Sequence, residues 1–161
     1  MSEISELLER FRRGPELLAA LLTGAAGKEF DFQPAPGKWS IRQIMCHMVD
    51  SEMVASIRFR LTIAESNPFL YEYDQDLWAT NLDYSTRKPS DCMETFRRIR
   101  RETHELLKAL PEDAYARTCT HQSHGAMTLF DLLRVYTEHV EKHAEQIMNA
   151  RDSYRESKAK A

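Results

Sequence analysis

Residues 128–150 read TLFDLLRVYTEHVEKHAEQIMNA and have the pattern of one long amphipathic helix. At about 100° per residue, the apolar side chains fall on one face and most charged side chains fall on the opposite face. Thr128 is a residue type that favours the position just before a helix. We therefore expect the helix to pack against a core through Leu129, Leu132, Leu133, Tyr136, Val140 and Ile147.

Two histidines lie on the apolar side of this predicted helix. His139 and His143 are four residues apart, so their rings stack one turn above each other. An imidazole that points into a core needs either hydrogen-bond partners or a metal ion. The spacing matches the H-x3-H half of zinc sites, although no glutamate follows His139 as it does in HExxH. The pair is therefore either half of a metal site or two histidines at the edge of a core.

The length and charge of the chain limit its class. With 161 residues it has the size of one domain with a substantial core, so residues 1–161 are expected to form a single domain. The formal net charge of -3 argues against a general nucleic-acid binder, because such proteins need a basic surface. The first residues lack a signal-peptide pattern, and no stretch reaches the length of a membrane span. We therefore expect neither a nucleic-acid partner nor a membrane partner.

The cysteines indicate a reducing compartment. Cys46, Cys92 and Cys119 are odd in number, lie far apart and form no CxxC pair. Neither a disulfide framework nor a cysteine zinc site is indicated by this pattern. It favours a cytoplasmic location.

Three further stretches have the apolar periodicity of helices. They run from about Ser2 to Leu22, from Ser40 to the break at Asn67-Pro68, and from Pro89 to Leu110. Gly14-Pro15 interrupts the first stretch and should kink the helix or restart it, because proline removes a helix hydrogen bond. Ser40 is a good N-cap for the second stretch.

The connections complete the predicted architecture. Residues 66–88 form a long crossover with one short helix at about 74–81, and residues 112–127 form an extended segment or hairpin. The polar tail after residue 150 is expected to fray. Together the pattern predicts an all-α fold, a four-helix bundle with a long crossover between the second and third long helices.

A third histidine, His47, lies on the second predicted helix beside its main apolar stripe. Alone it is typical of a residue at the boundary of a core. It becomes a candidate ligand because His139 and His143 need a third partner, and metal sites in bundles form from facing helices. Three imidazoles would leave a divalent ion with open coordination positions, which is the pattern of a catalytic site.

Other side chains are weaker candidates, and each has a plain structural alternative. Arg58, on the same strip as His47, is either a contact for an anionic substrate or a solvated surface residue. Gln146 either supports the histidines or is a solvated amide. No catalytic residue is assigned. Glu52 and Asp76 are candidates as general bases or surface carboxylates, and His121 and His124 are candidate ligands by residue type. In the crossover, the candidates for lining a pocket or capping the end of the bundle are Tyr71, Tyr73, Asp74 and Asp76. A cluster of arginines on the third long helix forms either a solvated face or an anion site: Arg97, Arg98, Arg100 and Arg101.

Three segments of the sequence resemble the signatures of a known family. They are GKWSIRQIMCHMVDSE (37–52), YDQDLWA (73–79) and TLFDLLRVYTEHVEKHAEQI (128–147). In this order they resemble the DinB/YfiT superfamily across nearly the whole chain. The resemblance implies a bundle in which His47, His139 and His143 bind a divalent metal, nickel or zinc, and in which dimers are common, so a homodimer is expected. All three histidines of the family pattern are present.

The resemblance also gives the functional hypotheses. Relatives include bacillithiol S-transferases and mycothiol-dependent isomerases, so the first hypothesis is a metal-dependent enzyme that transfers a low-molecular-weight thiol to a small electrophile. The second is a hydrolase that uses metal-bound hydroxide. The third is a non-catalytic metal-binding or stress-response module. The first two require a small-molecule substrate.

Overall fold

The computed structural model describes residues 2–160 as a bundle of four long helices with one short helix and three short strands. The first and the second long helices each pack against both the third and the fourth. The predicted all-α four-helix bundle with its crossover is confirmed. The helices are α1 (Glu3–Leu22), α2 (Ile41–Ala64), α3 (Gln75–Asn81), α4 (Pro89–Lys108) and α5 (Leu129–Ala159), and the strands are β1 (Phe69–Leu70), β2 (Thr118–His121) and β3 (Gly125–Thr128).

Reciprocal caps fix the beginnings of the two helices that carry the candidate histidines. The Ser40 hydroxyl accepts a hydrogen bond from the backbone N–H of Gln43, and the Gln43 side chain accepts one from the backbone N–H of Ser40. Thr128 and Asp131 form the same arrangement at the start of α5. Such caps satisfy backbone donors that have no partner inside the helix. They set where each helix begins and therefore which face each histidine occupies.

Helix α1 runs through Pro15 as one helix and does not restart there. Pro15 has no N–H to donate to the carbonyl of Phe11 four residues earlier. Nη1 of Arg100 on α4 donates to that carbonyl at 3.3 Å. Beside it, a Cβ at Gly14 would lie 3.3 Å from Val140 Cγ1, so the missing side chain lets α1 approach α5 closely.

An ion pair lies in the middle of the bundle. Arg100 and Glu52 are only 1% and 2% exposed, and Nε and Nη2 of the guanidinium donate to the two carboxylate oxygens at 2.8 and 2.5 Å. The expectation of a solvated face is wrong for Arg100, and Glu52 is not a surface carboxylate. Arg100 is four residues after buried Phe96, so it shares the core side of α4. Arg97, Arg98 and Arg101 are exposed, as expected.

The chain end and the strands extend the bundle. Helix α5 continues to Ala159, so the prediction of a frayed tail is wrong. Arg151 anchors this end because its Nε donates to Glu29 at 2.7 Å. The predicted hairpin is present as β2 and β3, and β1 from the crossover pairs in parallel with β2. The crossover is thereby attached to the segment that leads into α5.

Two general features complete the description. Cys46, Cys92 and Cys119 are buried free thiols. Within residues 2–160, no helix combines the length and the apolar character that crossing a membrane requires.

Candidate metal centre and adjoining pockets

Helices α2 and α5 bring His47, His139 and His143 together. Nε2 of His139 lies 3.1 Å from Nε2 of His47 and 3.1 Å from Nε2 of His143. The three rings meet edge to face, with centroids 4.5 to 5.1 Å apart. All three residues can offer one nitrogen within 4.8 Å of the others. We call these residues the histidine cluster.

The hydrogen bonds of the histidine cluster leave several nitrogens free. His143 Nδ1 lies 2.9 Å from the side-chain oxygen of Gln146. When Nδ1–H donates to that oxygen, Nε2 of the same neutral ring carries a lone pair that faces the other histidines. The Nδ1 atoms of His47 and His139 are buried and have no partner within residues 2–160. A cation at the point where the Nε2 atoms meet would use the lone pairs of all three rings, with the hydrogen of each neutral ring on Nδ1.

Burial keeps the histidine cluster uncharged. It lowers the pKa of His47 to about 3 and the pKa of His139 to about 2, because a charged imidazole loses its hydration there. Burial also lowers the pKa of His143, against the opposing effect of the Gln146 hydrogen bond. Metal ligation requires neutral imidazoles, so protons do not compete for these nitrogens near pH 7. The donor set therefore fits a divalent metal ion.

Two cavities flank the histidine cluster. The Arg58 pocket, about 340 Å³, reaches His47 and His139, and the Trp39 pocket, about 550 Å³, reaches His143. Gln75 lines both. The Arg58 pocket is lined by His47, Ser51, Arg58, Glu72, Tyr73, Gln75, His121, His124, Met127, Leu132, Val135, Tyr136 and His139. The Trp39 pocket is lined by Pro34, Ala35, Gly37, Lys38, Trp39, Ile44, Gln75, Asp76, His143, Gln146 and Asn149.

The crossover supplies some of the predicted pocket residues and not others. Tyr73 lines the Arg58 pocket and Asp76 lines the Trp39 pocket. The Asp74 carboxylate accepts from two backbone N–H groups at the start of α3, and it therefore acts as a cap. The Tyr71 side chain is 74% exposed, and it lines neither pocket. Of these candidates, Tyr73 and Asp76 are positioned to meet a ligand.

A second polar group stands at the rim of the Arg58 pocket. Glu72, His121 and His124 can each offer one ligand atom within 4.8 Å of the others. Nδ1 of His121 is already engaged, because the backbone N–H of Ser123 donates to it at 3.3 Å. The sequence suggested the two histidines but not Glu72, which the pairing of β1 with β2 brings from the crossover. A separation of about 50 residues leaves no local signal for that proximity.

Comparison with known proteins agrees with this architecture. The family model described as the DinB superfamily matches residues 10–147. A protein of Oceanobacillus iheyensis, named a "putative metal-dependent hydrolase", is 28% identical over 89% of this chain and 83% of its own length. YfiT of Bacillus subtilis, which carries the same description, is 30% identical over 69% of this chain and 63% of its own length.

A solved structure provides a test of the fold. The YfiT structure from Bacillus subtilis superimposes with a TM-score of 0.86 at 24% identity, and it covers 98% of this chain and 90% of that chain. It is described as having an unusual four-helix bundle topology. At this level of identity the similarity supports the arrangement of the helices and says nothing about the reaction.

Proposed function

The chain belongs to the DinB superfamily, and on that premise we propose that it is a divalent-metal-dependent enzyme acting on a small molecule. One observation carries the proposal. Three uncharged histidines, of which His47 and His143 are buried and His139 is partly buried, direct Nε2 atoms to one point, and their side chains line two cavities. The Nε2 atom of His139 faces both other Nε2 atoms, but it carries either a hydrogen or one lone pair and can form a hydrogen bond with only one of them, so the three rings cannot satisfy these nitrogens among themselves.

His47, His139 and His143 would hold the ion, which we expect to be nickel or zinc. When bound, such an ion lowers the pKa of a thiol or water beside it, so that either is deprotonated near neutral pH. Gln146 holds the ring of His143 through Nδ1 and so directs its Nε2 toward the other two rings. Trp39 packs against the ring of His47, with centroids 5.0 Å apart, and limits the rotation of that ring.

The finer proposal is transfer of a low-molecular-weight thiol to a small electrophile. Such a reaction needs two small molecules side by side at one centre. The Arg58 and Trp39 pockets reach different members of the histidine cluster, so each could hold one of them.

Hydrolysis is the second candidate, and the names of relatives favour it. Proteins of Oceanobacillus iheyensis and Bacillus subtilis with 28% and 30% identity each carry the name "putative metal-dependent hydrolase". Hydrolysis needs one organic substrate and water, so one pocket would suffice. Turnover of a thiol with a chlorinated electrophile, compared with turnover of esters and amides by the same metal-loaded protein, separates the two reactions.

Metal analysis tests the coarser proposal directly. We expect untagged wild-type protein to retain about one divalent ion per chain, and His143→Ala to retain almost none, because two imidazoles hold such an ion weakly. The matched control is His124→Ala, which removes an exposed histidine from the rim of the Arg58 pocket. Equal metal content in wild type and His143→Ala would refute the proposal, and so would loss of the ion in His124→Ala alone.

A further inference from the structure

We propose that the Arg58 pocket is a binding site for the anionic end of a small carboxylate ligand, recognised by Arg58 and the hydroxyl of Tyr136. The ligand has a short apolar body and points its other end toward the histidine cluster. Only the identification of this ligand as the substrate of the enzyme rests on the proposed function. Binding at Arg58 itself needs no metal.

Arg58 is held in place by uncharged partners. Its Nη1 donates to the hydroxyl oxygen of Tyr136 at 2.8 Å, and its Nη2 donates to the backbone carbonyl of Tyr71. These bonds orient the guanidinium without neutralising its charge. Within residues 2–160, no carboxylate forms an ion pair with Arg58. Its remaining N–H groups are available to a bound anion.

Glu72 is the carboxylate that lines the same pocket, and it is engaged elsewhere. The hydroxyl of Ser123 donates to Glu72, which holds the carboxylate against the loop between β2 and β3. Its side chain is also exposed at the rim, where water screens its charge. Glu72 therefore does not serve as the counter-ion of Arg58.

Tyr136 adds a second donor to the site. Its oxygen accepts the bond from Arg58, so its own hydroxyl hydrogen can donate to a ligand. Burial raises the pKa of Tyr136 to about 12, so this hydrogen is retained at neutral pH. Tyr136 is three residues before His139, and their ring centroids are 6.5 Å apart. The anion site and the histidine cluster are therefore neighbours along one face of α5.

The rest of the pocket selects the body of the ligand. Met127, Leu132 and Val135 line it with apolar side chains. A positive charge that lines a cavity of about 340 Å³ loses part of its hydration. An anion bound beside it compensates for that loss of solvation free energy. Two other arginines already have a carboxylate as partner, since Arg60 pairs with Glu102 and Arg87 pairs with Asp50. A short aliphatic carboxylate matches both the charge and the apolar wall.

Binding of hexanoate and of hexanamide tests the inference. The two probes have the same apolar chain, and only the first carries a charge. We expect metal-loaded wild-type protein to bind hexanoate more tightly than hexanamide, measured by chemical-shift titration of the ¹⁵N-labelled full chain. Arg58→Gln should weaken hexanoate binding by roughly ten- to a hundredfold and leave hexanamide binding nearly unchanged, because a charge-assisted hydrogen bond is lost. Arg58→Lys keeps the charge and should retain part of the preference.

Arg60→Gln is the matched control, since it removes a nearby arginine of α2 that is paired with exposed Glu102 and lines neither pocket. It should bind hexanoate as the wild type does. Equal binding of the two probes by wild type, or unchanged hexanoate binding in Arg58→Gln, would overturn the inference. Hexanoate binding that disappears with a chelator but survives Arg58→Gln would place the carboxylate on a metal and overturn it as well. Binding that survives the chelator and fails in Arg58→Gln supports the site even if the proposed metal chemistry is wrong.

Discussion

Two clusters of buried polar side chains lie close together along α2, and they are built in opposite ways. Around Glu52 and Arg100, charged groups find partners inside the protein. Around His47, three neutral rings meet through Nε2 atoms that cannot all hydrogen-bond to one another, and the Nδ1 atoms of two rings have no partner within the described chain. The Glu52–Arg100 pair is fully buried, whereas the histidine cluster borders two cavities. The difference supports a structural role for the first cluster and agrees with the ligand-binding role that we propose for the second.

The largest expected effect comes from breaking the satisfied cluster. Glu52→Ala would leave the Arg100 guanidinium buried without its counter-ion, which costs about 3–5 kcal/mol of unfolding free energy. Urea denaturation followed by circular dichroism measures this loss. Glu102→Ala is the matched control, because it removes an exposed partner of Arg60 and should cost about 0–1 kcal/mol. Similar losses in the two variants would contradict the contrast between the clusters.

The next effect concerns the support of the histidine cluster. Gln146→Ala removes the oxygen that holds Nδ1 of His143, and we expect metal affinity to fall by about ten- to a hundredfold. Competition with a chromogenic chelator measures the affinity. Asn149→Ala is a useful control, since Asn149 lines the same Trp39 pocket without a hydrogen bond to the cluster. An unchanged affinity in Gln146→Ala would show that the ring of His143 is oriented by packing alone.

A smaller effect is a dependence on pH in metal-free protein. Burial lowers the pKa of His47 to about 3, whereas an unfolded histidine titrates near 6.5. As pH falls below about 6.5, this histidine binds a proton in the unfolded chain but stays neutral in the folded chain. Its contribution to the free energy of unfolding is therefore fully present above that pH and declines toward pH 3. Between pH 7.5 and 5.5 the loss should be on the order of 1 kcal/mol for this ring.

Urea midpoints of chelator-treated protein at these two pH values measure the effect. The loss should be smaller in His47→Leu, which removes the titrating ring. If wild type and His47→Leu lose the same stability on acidification, the buried ring does not govern this part of the pH profile.

The smallest expected change in stability comes from the same substitution at neutral pH. His47→Leu replaces a buried ring whose Nδ1 has no partner within the described chain by an apolar side chain. In metal-free protein at pH 7.5 its unfolding free energy should stay within about 1 kcal/mol of wild type, because little hydrogen bonding is lost. Its metal content should nevertheless fall sharply. A loss as large as that of Glu52→Ala would mean that His47 supports the fold itself.

The sequence predicted what depends on local periodicity. The α2 and α5 caps, the inward side of α5 and the position of His47 on α2 follow from spacing within one helix. These elements determine where the three histidines lie, and the structure brings them together. Their role as ligands remains a prediction.

Apart from the meeting of His47 with His139 and His143, the sequence did not predict contacts that join distant segments. Helical periodicity treats charged residues as exposed, so the pairing of Glu52 with Arg100 has no signature within either helix. Pro15 gave a partial signal, because a buried proline frees the carbonyl of Phe11, and that carbonyl requires a donor from elsewhere. Arg151 shows the same limit, since its partner Glu29 lies far away in the chain and holds the end of α5.

The position of Arg100 also has a mechanical consequence. One guanidinium joins the carboxylate of Glu52 on α2, the carbonyl of Phe11 on α1 and, at 3.4 Å, the carbonyl of Tyr136 on α5. Glu52 is about 7.5 Å along α2 from His47, and Tyr136 is about 4.5 Å along α5 from His139. A single side chain therefore sets the relative height of the two helices that carry the rings. Sliding either helix by one turn would misalign the rings and break these bonds at the same time.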